Sequence, residues 1–198
     1  MYSKSIQNLI DQFAKLPSIG PKTAERLVFH LLRKPREELV RFGEAIKHIK
    51  ESVKLCSTCF DFSENDPCPI CSNPVRSREM ICLVSKNQDI VAIEKTHSFG
   101  GTYHVLGGYI NPIENITPDK IKIRELLERI RNDQVKEIIL ALNPDIEGET
   151  TSLYLIKLFK QIPNLKISRL ARGLPMGADL EYADEATLEN ALIDRKEI

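Results

Sequence analysis

The sequence predicts a multidomain α+β protein. Four segments follow one another along the chain. They are a helical N-terminal segment, a small cysteine-rich module, an α/β domain with a mainly parallel sheet and a C-terminal helical tail. Three observations predict this order. Apolar residues recur at helical spacing before residue 55, four cysteines lie close together after it, and strand-like and helix-like runs alternate from residue 79 onward. Such alternation is typical of a parallel sheet covered by helices.

The composition is that of a globular protein with room for more than one core. The chain has 198 residues, of which 42% are hydrophobic and 28% charged, and its formal net charge is zero. The charges are uneven. Residues 1–55 carry eleven Lys and Arg against six Asp and Glu, whereas residues 179–198 carry two against seven. Either end is a solvated helix face or a surface for a charged partner.

Neither a membrane span nor a secretion signal is evident. No apolar run approaches the roughly 20 residues that cross a bilayer, and MYSKSIQNLIDQF lacks the layout of a signal peptide. We therefore expect a cytoplasmic protein with no membrane partner. In that compartment, cysteines remain thiols or bind metal rather than form disulfides.

Residues 1–54 form the first predicted segment, which is helical from residue 3 onward. Three apolar series mark three helices, and Pro35 separates the second from the third. The three series are Ile6, Leu9, Ile10 and Phe13; Ala24, Leu27, Val28, Leu31 and Leu32; and Leu39, Phe42, Ile46, Ile49 and Val53.

A tight turn joins the first two helices, within LPSIGPKTAERL at residues 16–27. Gly20 permits backbone conformations closed to other residues, and Pro21 suits the first position of a helix. We expect Ile19 to pack the turn onto the core. Amides around residues 19–22 would then face outward at a helix N-terminus, which is a ready phosphate site.

Lys22 and Arg26 lie four residues apart, so both side chains share one helix face and can reinforce phosphate binding. The stretch resembles the helix-hairpin-helix motif of proteins that bind DNA without reading its sequence, with Ser18 where that motif often has its first glycine. Ile19, Gly20, Lys22 and Arg26 are therefore the predicted DNA-binding residues. The alternative is a plain helical hairpin with surface Lys and Arg.

Residues 55–76 are rich in Cys and Pro. CSTCFDFSENDPCPIC places Cys56, Cys59, Cys68 and Cys71 as two C-x2-C pairs. Four thiolates around one centre suit tetrahedral Zn²⁺, and a segment too polar to fold by apolar burial would draw its folding energy from the metal. We predict one structural zinc ion per chain. Two unrelated, redox-active pairs are the alternative.

Strands and helices alternate in the remaining chain. The predicted strands cover 79–85, 103–108, 136–142 and 165–171, and the predicted helices cover 87–95, 117–133 and 149–162. Thr117 and Pro118 are expected to begin the second of these helices. Between the third strand and the third helix, LNPDIEGETT places Asp145, Glu147 and Glu149 in a turn. Such strand ends are where α/β sheets tend to bind ligands.

The closing segment ARGLPMGADLEYADEATLENAL contains Leu174, Pro175, Gly177 and Leu180, and TYHVLGGYINP spans residues 102–112. Together with the hairpin, the four cysteines and NPDIEGE, these motifs resemble the RecR family of bacterial recombination-repair proteins. The resemblance implies a toprim domain at about residues 79–172, the fold of topoisomerases, primases and some nucleases. A C-terminal family segment would follow at 173–198.

The resemblance also implies how such a chain acts. It implies a non-enzymatic DNA clamp and adaptor in recombinational repair, associated with the nucleoid. The chain would form a homo-oligomeric ring, commonly a tetramer, around DNA. The implied partners are RecO and RecF, with which the family helps to load RecA at gaps.

Catalytic toprim domains hold Mg²⁺ with three carboxylates. By resemblance, those positions fall on Ser85, Asn143 and Asp145, so two of the three are neutral here. One Asp would hold a hard divalent ion weakly, and we expect Asp145, Glu147 and Glu149 to bind a protein partner instead. The alternatives are a Mg²⁺-dependent toprim nuclease or topoisomerase-like enzyme, and a zinc-module interaction protein without a DNA role.

Overall fold

The computed structural model describes residues 2–195 and divides into two compact units, with the boundary between Val53 and Lys54. Within the described residues, none of the helices has the length and apolar character that crossing a bilayer requires.

The first unit is helical, as the three apolar series predict. Its elements are α1 (Lys4–Phe13), α2 (Pro21–Leu31) and α3 (Arg36–Ser52). The core of this unit is small, because only a few side chains of α1 and α2 are buried. These buried side chains are Ile10, Ala24 and Val28, and the partly buried residues packed on them include Ile6, Phe13 and Ile19.

α3 presents an apolar side that its own unit does not cover. None of its residues is buried, and Phe42, Ile46 and Ile49 are among its exposed side chains. A groove of about 410 Å³ lies between α3 and the first two helices, and Leu9 and Leu16 contribute to its mainly apolar lining.

The second unit begins with the cysteine-rich module and continues as an α/β domain. The module contains the antiparallel strands β1 (Lys54–Leu55) and β2 (Phe62–Ser63) and the short helix α4 (Pro69–Ser72). The strands that follow are β3 (Ser77–Val84), β4 (Gly101–Val105), β5 (Glu137–Ala141) and β6 (Lys166–Arg169). The helices are α5 (Asn87–Glu94), α6 (Ile123–Asn132), α7 (Ile146–Phe159) and α8 (Glu185–Ile193).

The four strands form one parallel sheet in the order β4-β3-β5-β6, which confirms the predicted α/β architecture. Alternating residues of β3 face two different cores. Ile81 and Leu83 belong to the larger core, whereas Cys82 and Val84 belong to the smaller core on the other face. A buried parallel strand is apolar on both faces for this reason.

The helix predicted over 117–133 is divided in the structure. Pro118–Lys120 form one 3-10 turn, Ile121 is extended, and α6 begins only at Ile123. Both isoleucines are buried in the larger core. Residues two apart in a continuous helix would lie on nearly opposite faces, so the break lets both reach the same core.

Tertiary hydrogen bonds hold the extended segment. The Lys122 N–H donates to the Leu106 carbonyl at 2.9 Å, and the His104 imidazole Nε2 donates to the Lys122 carbonyl at 2.8 Å. His104 is fully buried, and this burial lowers its pKa to about 4, so the ring is neutral near pH 7.

α7 begins at Ile146, three residues before the predicted start at Glu149. Glu147 and Glu149 therefore lie in the first helical turn rather than in a loop. Asp145 precedes them as the N-cap, and its carboxylate accepts from the Gly148 N–H at 2.7 Å. The acidic residues thus lie at the positive end of the helix dipole, which favours the earlier start.

Candidate metal centre and nucleic-acid interface

The four cysteines converge on one point. The Sγ atoms of Cys56, Cys59, Cys68 and Cys71 all lie within 4.8 Å of one another, and all four side chains are buried. Zinc–sulfur bonds of about 2.3 Å in a tetrahedron separate the sulfurs by about 3.8 Å, and the Cys59 and Cys68 sulfurs lie 3.6 Å apart. The donor set therefore fits Zn²⁺, and the site leaves no position for a substrate.

Backbone amides support the negative charge of these sulfurs. The Cys68 N–H donates to the Cys56 sulfur at 3.3 Å, and the Cys71 N–H donates to the Cys68 sulfur at 3.5 Å. Burial acts to raise the pKa of Cys56, but the amide donors, that of Cys68 first, lower it to about 7. The pKa values of Cys59 and Cys68 are raised instead, that of Cys59 chiefly by its hydrogen bond with Cys71 and that of Cys68, to about 11, chiefly by burial. Neighbouring buried thiols do not all ionise without a cation, and a bound Zn²⁺ would supply the charge that favours the thiolates.

The zinc module is attached to the edge of the parallel sheet. β4 is an edge strand, and the Val105 N–H on it donates to the Cys59 carbonyl at 2.8 Å. The Asn87 side-chain amide donates to the Phe60 carbonyl and the Asp61 carboxylate, each at 3.0 Å. The module thus covers part of an edge whose backbone groups would otherwise be open to another strand.

Arg129 on α6 joins the same two regions, and the sequence reasoning missed it. Its side chain is 7% exposed. Nη1 donates to the Tyr103 carbonyl at 2.6 Å and to the Thr58 carbonyl of the zinc module at 3.5 Å, and Nη2 donates to the Thr102 hydroxyl at 2.7 Å. Nε pairs with the Asp133 carboxylate at 3.1 Å. This buried cation therefore has a partner for each of its three nitrogens.

The hairpin turn differs from expectation at Gly20. Gly20 has an ordinary extended backbone, with φ −79° and ψ 167°, and Ser18 carries the positive φ of 64°. The prediction that Gly20 supplies an unusual backbone conformation is therefore wrong. A Cβ added at Gly20 would meet nothing within 4 Å, so the glycine instead leaves open space in front of the helix N-terminus.

The structure places Ile19, Gly20 and Lys22 at the N-terminal end of α2 and Arg26 at the middle of the helix, about one turn beyond Lys22. Ile19 packs against the small core, while Gly20, Lys22 and Arg26 are exposed. Across residues 2–195, no salt bridge involves Lys22 or Arg26. No side chain caps α2, and Pro21 occupies its first turn. Both cations and the first-turn amides are therefore available to a phosphate.

The three positions on which the toprim resemblance predicts catalytic carboxylates have structural partners. Ser85 follows β3, is buried and donates from its hydroxyl to the Asp89 carboxylate at 3.1 Å. Asn143 follows β5, and its N–H donates to the Tyr109 hydroxyl at 3.2 Å. Asp145 caps α7. Within the described residues, the only cluster of three or more His, Cys, Asp or Glu side chains with converging ligand atoms is the cysteine site.

The three acidic residues at the start of α7 differ from one another. Glu149 forms an ion pair with Arg172, and the Arg169 guanidinium lies 3.9 Å from the same carboxylate. Glu147 is exposed and accepts from the Asn111 side-chain amide at 2.7 Å, and Asp145 is exposed beside it. The predicted partner-binding role therefore fits the two exposed carboxylates better than Glu149, whose charge already has two cationic neighbours.

Family models match the chain in four consecutive segments. The matches are the RecR helix-hairpin-helix over residues 6–50, the RecR four-cysteine zinc finger domain over 53–73, the Toprim domain over 79–171 and the RecR C-terminal model over 173–196. They define a zinc-finger protein with a toprim domain and a helix-hairpin-helix, and they confirm that the cysteine site is a structural zinc site.

Similar proteins extend over the same length. The chain is 51% identical to "Recombination protein RecR" of Gloeobacter violaceus over 198 residues, with both chains covered completely. It is 48% identical to the proteins of that name from Bifidobacterium adolescentis and Pelotomaculum thermopropionicum, over 197 residues that cover 100% of this chain and 98% of each relative. The chain belongs to the RecR family of recombination proteins, as the motifs predicted.

Proposed function

We propose that this chain is a non-enzymatic DNA clamp and adaptor in recombinational repair. The observation that carries the proposal is the exposed first half of α2, where Lys22 and Arg26 form no ion pair within residues 2–195 and no side chain caps the first-turn amides. Contacts of that kind engage phosphate and not base edges, so binding would be independent of sequence.

DNA binding is expected to fall steeply with salt and to depend on the end of α2. The double variant Lys22→Ala, Arg26→Ala should weaken binding about tenfold or more on every sequence tested. It should also reduce the slope of log affinity against log salt by roughly one to two units. Fluorescence anisotropy with single- and double-stranded oligonucleotides at several salt concentrations measures both effects.

The matched control is Arg33→Ala, Lys34→Ala, which removes the same charge just beyond the other end of α2 and should leave most of the affinity. If the hairpin variant binds as tightly as the parent chain, the DNA surface lies elsewhere and the clamp proposal loses its supporting contact.

The uncovered apolar side of α3 supports the ring-like homo-oligomer. A groove of about 410 Å³ with a mainly apolar lining would be costly to leave in water in every chain. A second copy of the chain is the occupant that we propose, and a tetrameric ring is the assembly that the family resemblance implies. Such a ring would hold DNA by enclosure as well as by phosphate contacts, in association with the nucleoid.

The carboxyl edge of the sheet would serve the adaptor role. We propose that Asp145 and Glu147, with Glu149 behind them, meet basic side chains of RecO or RecF, so that the clamp helps to load RecA at gaps. Neutral Ser85 and Asn143 and the caps and pairs described above favour this over Mg²⁺-dependent cleavage. The three carboxylates that are present, on Asp145, Glu147 and Glu149, already form a helix cap, a hydrogen bond and an ion pair within the fold.

Removing charge from the exposed carboxylates is expected to impair partner binding by roughly tenfold while DNA binding stays the same or rises slightly. Asp145→Asn with Glu147→Gln is the sharpest variant, because both amides keep an acceptor oxygen for the Gly148 and Asn111 donors. Calorimetric titration with RecO and with RecF measures the loss. Glu64→Gln with Glu128→Gln, which removes equal charge from other exposed positions, is the control.

The same purified chain also tests the enzymatic alternative. Plasmid nicking or relaxation is assayed with Mg²⁺ and with Mn²⁺. Activity that copurifies with the chain and disappears in the Asp145→Asn, Glu147→Gln variant would overturn the non-enzymatic proposal.

A further inference from the structure

Glu25 is the only acidic residue of α2, and it lies next to both of the cations that are proposed to bind phosphate. It follows Lys22 by three residues and directly precedes Arg26. Residues three apart on a helix are neighbours on its surface, and opposite charges at that spacing attract each other. A Glu25 carboxylate that paired with Lys22 would neutralise a phosphate-binding ammonium, and it would also repel the phosphate itself.

The structure directs this carboxylate to a different partner. The Tyr2 hydroxyl, which lies 23 residues earlier in the chain, donates to the Glu25 carboxylate at 2.5 Å. Among the residues that the structure describes, Glu25 takes part in no salt bridge, with Lys22 or with any other cation. The one carboxylate of the helix is therefore bound to a neutral group.

The Tyr2 ring is itself held against α2. It meets the Phe29 ring edge to face, with the centroids 5.3 Å apart and the planes at 61°. Phe29 follows Glu25 by four residues, so the ring and the hydroxyl of Tyr2 contact two neighbouring side chains on one helix face. The hydrogen bond with Glu25 raises the pKa of Tyr2, and the phenol therefore stays protonated and able to donate near pH 7.

We propose that Tyr2 is a positioning residue for DNA binding, which holds the Glu25 carboxylate away from Lys22 and keeps that ammonium available to DNA phosphate. The proposal rests on the DNA-binding function above and adds to it a residue that precedes the hairpin in the chain. Tyr2 acts through Glu25 and needs no contact with DNA. The effect of its hydroxyl should therefore disappear when residue 25 carries no charge.

The test is a double-mutant cycle on the full chain with Tyr2→Phe and Glu25→Gln. DNA affinity is measured by fluorescence anisotropy with single- and double-stranded oligonucleotides at several salt concentrations. Tyr2→Phe keeps the ring on Phe29 and removes only the donor, so it should weaken binding roughly two- to fourfold at low salt and lower the salt slope by up to about one unit. The double variant should bind at least as tightly as the parent, because a glutamine cannot neutralise Lys22.

Tyr182→Phe is the matched control, because Tyr182 is 81% exposed in the second unit, and it should leave the affinity unchanged. If Tyr2→Phe weakens binding and Glu25→Gln does not restore it, Tyr2 contacts DNA directly or only supports the fold, and the positioning role is overturned. If Tyr2→Phe binds like the parent while Lys22→Ala, Arg26→Ala binds weakly, the positioning role is wrong and the DNA surface stands. If neither variant changes binding, both proposals fail.

Discussion

Replacing Cys68 with serine is expected to unfold the zinc module and to reduce zinc from about one ion per chain to well below one. Three sulfurs hold Zn²⁺ far more weakly than four, and in small zinc modules the binding energy of the metal is the folding energy. The loss should not stay within the module, since Cys59 supplies a carbonyl to the Val105 N–H at the sheet edge. We therefore expect a lower melting temperature and faster aggregation.

Metal analysis and thermal melting of protein purified without chelators measure this result. Cys82→Ala is the matched control, because Cys82 is an equally buried thiol that lies in the sheet core and outside the cysteine cluster. It should keep one zinc ion. A zinc-free parent protein, or a serine variant that melts with the parent, would contradict a structural zinc.

The second large effect is expected at Arg129. The variant Arg129→Met keeps the apolar stem but leaves the Tyr103 carbonyl, the Thr102 hydroxyl and the Asp133 carboxylate without their donor. Breaking a buried, hydrogen-bonded charge in this way costs about 3 kcal/mol of unfolding free energy. Urea unfolding followed by circular dichroism measures the change. Arg129→Lys should recover little, because an ammonium cannot reproduce the guanidinium fork.

The control for Arg129 lies on the same helix. Arg124 is 85% exposed and pairs with Glu128 at 3.5 Å, so Arg124→Met should change the stability by less than about 1 kcal/mol. Equal stability of the two variants would show that the buried network contributes little to the fold.

Local patterns in the sequence were sufficient for most of the architecture. The spacing of the four cysteines is a short-range signal, and so is the alternation of apolar runs that led to the parallel sheet. The zinc site and the fold class were accordingly predicted before any geometry was known. The hairpin was located for the same reason, although the residue with the unusual backbone is Ser18 and not Gly20.

Long-range contacts account for what the sequence did not show. The break before α6 depends on hydrogen bonds from His104 and to Leu106, and no local feature of residues 117–133 encodes those partners. The burial of Arg129 also depends on long-range contacts. An arginine in a helical segment is ordinarily exposed, and it is buried here because Thr58 and Tyr103 supply carbonyls from distant parts of the chain.

The exposed apolar side of α3 has a thermodynamic consequence. A helix of 17 residues that buries none of them gains little from tertiary packing, which is the source of most helical stability in proteins. Its stability should therefore depend on protein concentration, because any association that covers this side is linked to helix formation by mass action. Dilution would then unravel α3 well before the sheet melts.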